Sequence, residues 1–177
     1  MNLDDRLSQT AAIGRRRTPV ILQAETAECG LACLAMIAGR YGHRVDLPAL
    51  RPHYDLSLRG TTLHDIIQLA SSLRLATQAL RAEVAHLRKL HLPCILHWDH
   101  NHFVVLTGVG GRGIVIHDPA VGRRHVPWQE VDKRFTGIVL EAWPIACVIV
   151  AHRRSTLEMA DRIVPIWPAA AAAKRAG

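Results

Sequence analysis

A cysteine, a histidine and an aspartate in this chain have the residue types of a nucleophile, a general base and an orienting acid. Cys29 lies in the stretch QAETAECGLACL, residues 23–34, where a long apolar run begins. The stretch HWDHNHFVVLTGVGGRGIVIHDP, residues 97–119, supplies His102 and Asp118. A thiol nucleophile needs a base to take up its proton, and that base needs a third group to fix its tautomer. These three side chains could therefore perform nucleophilic catalysis.

The position of Cys29 at the start of a predicted helix favours it as the nucleophile. The first turn of a helix carries partial positive charge, which stabilises a thiolate. The alternative is a small core residue, because free cysteines are among the most buried residue types. We assign the core role to the other three cysteines, which form no CxxC pair: Cys33, Cys94 and Cys147.

A predicted hairpin brings His102 and Asp118 close together. If the chain turns between Val109 and Arg112 or Gly113, His102 falls opposite residue 119 or 120, one or two places from Asp118. Residues so placed on adjacent strands are about 5 to 8 Å apart. The alternative is that His102 merely starts a strand and Asp118 merely begins an Asp-Pro turn.

The spacing His97-x-x-His100-x-His102 leaves a metal site as a second alternative. These histidines could hold a metal with a cysteine as the remaining ligand, but the spacing matches none of the structural zinc patterns. We therefore predict no metal and no cofactor.

The elements that must position these residues are helices first and strands afterwards. The helices are predicted over residues 29–41, apolar on nearly every side, and over 47–53, 61–73, 83–89 and 129–133. The strands are predicted over residues 76–80, 94–98, 102–109, 114–117 and 137–142. This order indicates an α+β domain with a buried helix packed on an antiparallel sheet.

Four separated motifs resemble a known family in the right order. They are Gln23-x5-Cys29-Gly30-x2-Cys33-Leu34, HWDHNHFVVLTGV at 97–109, HDPAVGRRHV at 117–126 and FTGIVLE at 135–141. Together they resemble the bacteriocin-processing, double-glycine peptidase domain of peptide-exporting ABC transporters, a papain-like cysteine peptidase. The resemblance covers about residues 18–144, which leaves residues 1–17 as an expected flexible N-terminus and 145–177 as a tail.

The resemblance implies a role for each motif residue. Cys29 matches the nucleophile, His102 the base, and Asp118 the acid that orients the imidazole. Gln23 matches the oxyanion-hole donor, which would act together with the backbone N–H of Cys29. Such a donor lowers a barrier by roughly 3 to 4 kcal/mol.

The resemblance also implies the substrate and a partner. Members cleave after a Gly-Gly or Gly-Ala pair that ends a leader peptide, and they are normally coupled to ABC-transporter export. Leaders are often acidic, so the net charge of +7 would assist encounter. The alternatives are a non-catalytic leader-binding module and an inactive remnant of a truncated transporter. Retention of Cys29, Gln23, His102 and Asp118 together argues against the binding module.

The tail at 148–164, VIVAHRRSTLEMADRIV, resembles the end of an ABC ATPase domain, with His152 matching its switch histidine. The chain has no GxxxxGK[ST] phosphate loop, so we predict no nucleotide binding. We expect the tail to be loosely docked or disordered. The arrangement resembles the two ends of an exporter without its membrane spans and most of its ATPase domain.

Length and composition exclude several other classes. At 177 residues and 49% hydrophobic, the chain can bury a core, so disorder is not expected. The basic residues are scattered and accompany no nucleic-acid signature, so we predict no nucleic-acid partner. The N-terminus lacks the apolar stretch of a signal peptide, and no uncharged apolar run reaches about 18 residues. We expect a cytoplasmic protein, or one held at the inner membrane through a transporter of an otherwise membrane-integral family.

Overall fold

The computed structural model describes residues 17–43, 45–51 and 61–145, which fold as helices packed on a six-stranded antiparallel sheet. The helices are α1 (Cys29–Arg40), α2 (Leu47–Leu50), α3 (Leu63–Ser72) and α4 (Trp128–Arg134). The strands are β1 (Leu75–Arg81), β2 (Cys94–Trp98), β3 (His102–Val109), β4 (Gly113–Asp118), β5 (Gly122–Pro127) and β6 (Phe135–Pro144). Short 3-10 segments cover Thr26–Glu28 and Val84–Lys89. The predicted α+β class with a buried helix on an antiparallel sheet is confirmed.

The sheet follows the order β1-β6-β2-β3-β4-β5, so β1 and β5 are its edges. One face carries the larger core, built around α1 with α3. The other face is covered by α4 and by the 3-10 segment that buries Leu87. Apolar side chains alternate between these two cores along the central strands, as a sheet covered on both faces requires.

Helix α1 is buried from Cys29 through Ala38, because small and aliphatic residues occupy every one of these positions. Gly30 lets it approach the chain before α3, since a Cβ there would lie 2.3 Å from Thr61 Cγ2. The helix ends at Arg40, and Gly42 two residues later has a φ of +94°, the left-handed conformation that glycine adopts without strain. A buried central helix thus places its first residue, Cys29, near the start of strand β3.

Helix α3 starts at a capping box formed by Thr62 and Asp65. The Thr62 hydroxyl accepts the Asp65 backbone N–H at 3.2 Å, and the Asp65 carboxylate accepts the Thr62 backbone N–H at 2.8 Å. Such reciprocal bonds satisfy two backbone donors that the helix itself leaves free.

The structure differs from the sequence predictions in two strands and in one hairpin register. Strand β5 was not predicted, and β6 starts at Phe135 rather than Gly137. The hairpin of β3 and β4 closes with Val109 opposite Ile114, which lies one residue beyond Gly113 and two beyond Arg112, the two predicted partners. A bulge between Leu106 and Gly108 then shifts the register back, so Val105 lies opposite His117.

Two predictions fall outside the described residues. The N-terminus before residue 17 and the ATPase-like tail after residue 145, which includes Cys147 and His152, are not described by the structure.

Candidate active site

Cys29 is the first residue of α1 and is 3% exposed. Its side chain is hydrogen-bonded to the ring of His102. The helix delivers the sulfur and strand β3 delivers the imidazole, since α1 packs against β3. The site therefore lies where the first residue of α1 meets the first residue of β3.

His102 also contacts Asp118. Nε2 of His102 lies 2.8 Å from Oδ1 of Asp118, and the same oxygen accepts the backbone N–H of Ala120 at 2.9 Å. The register of the β3–β4 hairpin, including its bulge, produces this proximity. One imidazole thus connects a thiol on a helix with a carboxylate at the end of β4.

The surroundings favour the protonated form of this imidazole. Partial burial disfavours the charged ring, but the hydrogen bonds and charges of Asp118 and Cys29 outweigh it and raise the pKa of His102 to about 9. Burial also opposes ionisation of Asp118, yet its hydrogen bonds to His102 and Ala120 hold the pKa of that carboxyl below its usual range. At neutral pH the pair is therefore an imidazolium and a carboxylate.

Gln23 lies next to this pair. Its backbone N–H donates to the carbonyl of Pro119 at 2.9 Å, which anchors it beside Asp118. The oxygen of its side-chain amide is buried without a hydrogen-bond partner among the described residues, and Gln23 lines the same cavity as His102.

The loop between Gln23 and Cys29 is held by a buried carboxylate. Glu28, which is fully buried, accepts the backbone N–H groups of Ala24 and Glu25 at 2.9 and 3.0 Å. Nε of Arg51 donates to its other oxygen at 2.6 Å, and this bond lowers the pKa of Glu28 against the effect of burial. The hydroxyl of Thr61 adds a bond to the Ala27 carbonyl at 2.8 Å. The spacing Glu25-x-x-Glu28 of a capping box is the sequence signal for this loop.

Charged residues that the sequence analysis missed extend from Asp118. Arg124 on β5 lies 3.8 Å from Asp118 and 3.0 Å from Glu130. Glu130 pairs with Arg134 at 3.1 Å, and Arg134 pairs with Asp99 at 2.8 Å. This chain of alternating charge, which we call the ion-pair chain, runs from Asp118 back to the turn before His102. Strand β5, which was not predicted, and helix α4, which was predicted over residues 129–133, bring its members together.

The three histidines of the H-x-x-H-x-H spacing do not converge. His97 bonds through Nδ1 to the Thr136 hydroxyl at 2.8 Å and contacts the Phe103 ring at a tilt of 54°, whereas His102 faces Asp118. Strand alternation separates the two rings, because Trp98, not His97, lies opposite His102. In residues 17–43, 45–51 and 61–145, no group of three or more His, Cys, Asp and Glu side chains could hold a metal ion.

The other described cysteines lie in the core. Cys33 and Cys94 are both fully buried and, like Cys29, form no disulfide. Burial raises the pKa of Cys33 well above the usual range and that of Cys94 to about 12. Neither thiol is poised to act as a nucleophile.

A helix-borne cysteine bonded to a sheet-borne histidine, itself bonded to a carboxylate, defines the class of papain-like cysteine peptidases. The sequence pattern of the peptidase C39 family matches residues 17–146. The chain belongs to the peptidase C39 family.

Known relatives place this domain within larger proteins. The chain is 54% identical over 130 residues to two Escherichia coli proteins, a colicin V secretion/processing ATP-binding protein and a probable microcin-H47 secretion/processing ATP-binding protein. The match covers 73% of this chain and 19% of each relative, so the chain spans about a fifth of their length.

A solved structure resembles the fold closely. It is a double glycine motif protease from an AMS/PCAT transporter in complex with the leader peptide, 39% identical, with a TM-score of 0.70. The match covers 74% of this chain and 94% of that chain. In the described part of our chain, no helix has the length and hydropathy needed to cross a bilayer.

Proposed function

We propose that this chain is a cysteine endopeptidase that removes leader peptides from bacteriocin-type precursors after a Gly-Gly or Gly-Ala pair. The observation that carries the proposal is the imidazole of His102, which is bonded to the Cys29 thiol on one side and to Asp118 on the other. The relatives named for colicin V and microcin H47 processing support this class of substrate.

In the first half of the reaction, the Cys29 thiolate attacks the carbonyl carbon of the last leader residue and forms a C–S bond. The negative charge on the carbonyl oxygen is stabilised by the Gln23 side-chain amide and the Cys29 backbone N–H. The intermediate then expels the leaving amine, which takes its proton from the His102 imidazolium. The leader remains as a thioester on Cys29.

In the second half, His102 acts as a base. It takes a proton from a water molecule, the resulting hydroxide attacks the thioester, and the C–S bond breaks. The leader leaves as a carboxylic acid that loses its proton to solvent, and the thiolate–imidazolium pair is restored. Asp118 stays ionised throughout and holds the ring in place.

We also propose that the domain works next to a peptide-exporting ABC transporter at the inner membrane. The relatives that combine secretion, processing and ATP binding in one protein support this partner. The proposal assigns no nucleotide site to residues 18–144 and limits the domain to those residues.

The test is cleavage of a synthetic colicin V precursor peptide, followed by mass spectrometry. We expect the wild-type chain to cut after the double-glycine pair and Cys29→Ala to lose at least about 10³-fold in rate. Cys33→Ala removes a thiol one turn further along the same helix and should retain activity. A chelator should leave the activity of the wild type unchanged. Turnover by Cys29→Ala, or none by a well-folded wild type, would falsify the assignment.

A further inference from the structure

Glu28 is a buried carboxylate that the proposed chemistry does not use. It directly precedes Cys29 and is fully buried. Charged side chains are rarely buried to this degree unless they are paired. A buried ion pair is also a weak source of stability, since well-packed apolar residues can often replace it without loss. A contribution to the stability of the fold therefore does not by itself explain this carboxylate.

The Glu28 carboxylate holds the backbone that follows Gln23. Its Oε2 accepts the backbone N–H groups of Ala24 and Glu25 at 2.9 and 3.0 Å. The first of these N–H groups belongs to the peptide bond between Gln23 and Ala24, which sets the direction in which the Gln23 side chain leaves the chain. Since Glu28 is also the residue before Cys29, one side chain links the backbone beside Gln23 to the backbone of the nucleophile.

Gln23 depends on its backbone for its position. Its own N–H donates to the Pro119 carbonyl at 2.9 Å on one side, and the bond from Ala24 to Glu28 holds the peptide on the other side. The oxygen of its side-chain amide is buried without a hydrogen-bond partner among the described residues, so no bond of that oxygen fixes the amide. The two backbone anchors therefore place the amide.

Arg51 holds Glu28 from outside the loop. Nε of Arg51 donates to Oε1 of Glu28 at 2.6 Å, and this bond lowers the pKa of the carboxyl against the effect of burial. Glu28 is therefore ionised at neutral pH. Arg51 directly follows α2, a helix that contacts α1 and carries none of the proposed catalytic residues. The guanidinium thus ties the loop to a separate part of the helical layer.

We propose that Glu28 and Arg51 are positioning residues that hold the Gln23 amide at a fixed distance from the Cys29 backbone N–H, so that both donors reach one carbonyl oxygen. The pair acts through Gln23 and not through contact with the substrate. Such donors work by accurate placement, since a displacement of about 1 Å can cost about 10²-fold in rate. The inference rests on the proposed peptidase function and deepens it.

The first test is Glu28→Gln, which keeps the size of the side chain but replaces one acceptor oxygen by an NH2 group. That group cannot accept the N–H bonds, so the backbone after Gln23 should shift. Because the oxyanion forms only after the substrate has bound, we expect kcat on a colicin V precursor peptide to fall about 10²-fold and KM to change less than about twofold. Glu83→Gln makes the same change at an exposed position and should keep both constants.

Two readouts separate positioning from a general loss of structure. Alkylation of Cys29 by iodoacetamide needs the thiolate but forms no oxyanion, so its rate in Glu28→Gln should stay within about threefold of the wild type. In a Gln23→Ala background, Glu28→Gln should lower kcat by less than about threefold, because the donor that it positions is absent. An alkylation rate that falls together with kcat, or an undiminished loss in the Gln23→Ala background, would overturn the inference.

Arg51→Gln decides the inference if Glu28→Gln does not fold, because Arg51 is partly exposed and its replacement leaves the core intact. We expect kcat to fall about tenfold with KM unchanged. Arg51→Lys keeps the positive charge and can still donate one bond, so it should recover most of that loss. A kcat in Arg51→Gln equal to that of the wild type would contradict the proposed role of the pair.

A well-folded wild type that does not cleave the peptide would overturn the proposed function instead. The side-chain amide resonances of Gln23 in NMR then decide the inference, since they report the surroundings of the amide without catalysis. We expect one sharp pair of resonances in the wild type and in Glu83→Gln, and shifted or broadened resonances in Glu28→Gln and Arg51→Gln. Resonances that stay unchanged in both of these variants would show that the pair does not position Gln23.

Discussion

The imidazole of His102 is the residue on which the proposed chemistry turns, because it serves two partners at once. Its bond to Cys29 favours the thiolate that attacks the substrate carbonyl. Its bond to Asp118 sets the orientation and charge of the ring. The folded-state pKa is raised to about 9, above the usual value of 6.5. The protonated ring therefore stabilises the fold fully below pH 6.5, and this stabilisation is lost as the pH rises through about 9.

The Asp118→Asn variant tests how this carboxylate acts. It removes the charge and the acceptor that favour imidazolium, so the pKa of His102 should fall. We expect kcat/KM to drop about 10² to 10⁴-fold and the alkaline limb of the pH–rate profile, near pH 9 in the wild type, to move to lower pH.

The control for that measurement is Asp132→Asn, which removes an exposed carboxylate from α4. Its profile should match the wild type. An alkaline limb that stays in place in Asp118→Asn would show that the carboxylate does not set the charge of His102.

At the scale of single residues, the sequence predicted the neighbours that lie within one motif or one hairpin. His102 and Asp118 could be paired by counting along two strands, because hairpin register is a local property. Trp98, Arg124 and Arg134 could not be predicted as part of the same site. They line the same cavity only after β5 and α4 fold back, and nothing in their local spacing indicates this.

Among the structural elements, the turn between β2 and β3 has the greatest influence on the site, because His102 follows it directly. Asp99 and His100 both have positive φ angles, +50° and +65°. A non-glycine residue in this conformation costs roughly 1 to 2 kcal/mol. Arg134 holds the turn twice: its carbonyl accepts the Asp99 backbone N–H at 2.9 Å, and its guanidinium donates to the Asp99 carboxylate at 2.8 Å.

The Arg134→Gln variant should loosen this turn. The imidazole would then leave its productive position for part of the time, which lowers kcat without a change in substrate contacts. On a colicin V precursor peptide, we expect kcat to fall about tenfold and KM to change less than about twofold.

Lys133→Gln is the matched control, since it removes an exposed positive charge from the neighbouring position of α4. It should leave both constants unchanged. An equal kcat in wild type and Arg134→Gln would show that the turn keeps its geometry without the clamp.

The elements differ in how well their sequences predict them. Strands β2 and β3 were predicted with their observed bounds because β-branched and apolar residues fill them. Strand β5 reads Gly-Arg-Arg-His-Val-Pro, a polar composition typical of a loop, and it is a strand because β4 offers it a partner along its whole length. Tertiary pairing, which a local pattern does not contain, decided that element.

For the whole molecule, charge is the property most relevant to substrate encounter. The chain carries a net charge of +7, and an acidic leader would be attracted to it from a distance. Such long-range attraction acts on the association rate and is screened over about 8 Å at physiological ionic strength.

Salt should therefore slow cleavage of an acidic leader. We expect kcat/KM to fall several-fold when the ionic strength rises from about 0.05 M to 0.5 M, mainly through slower association. A leader peptide with its acidic residues replaced by glutamine or asparagine should show little change. The same salt dependence for both peptides would contradict electrostatic steering.

The seating of α1 against β3 has one more consequence, because the sulfur and the ring belong to separate layers. A slight sliding or lifting of the helix would part them while every hydrogen bond of the sheet survived. On heating, catalytic activity would then be lost before the sheet unfolds. Activity would therefore measure how well α1 stays packed against the sheet.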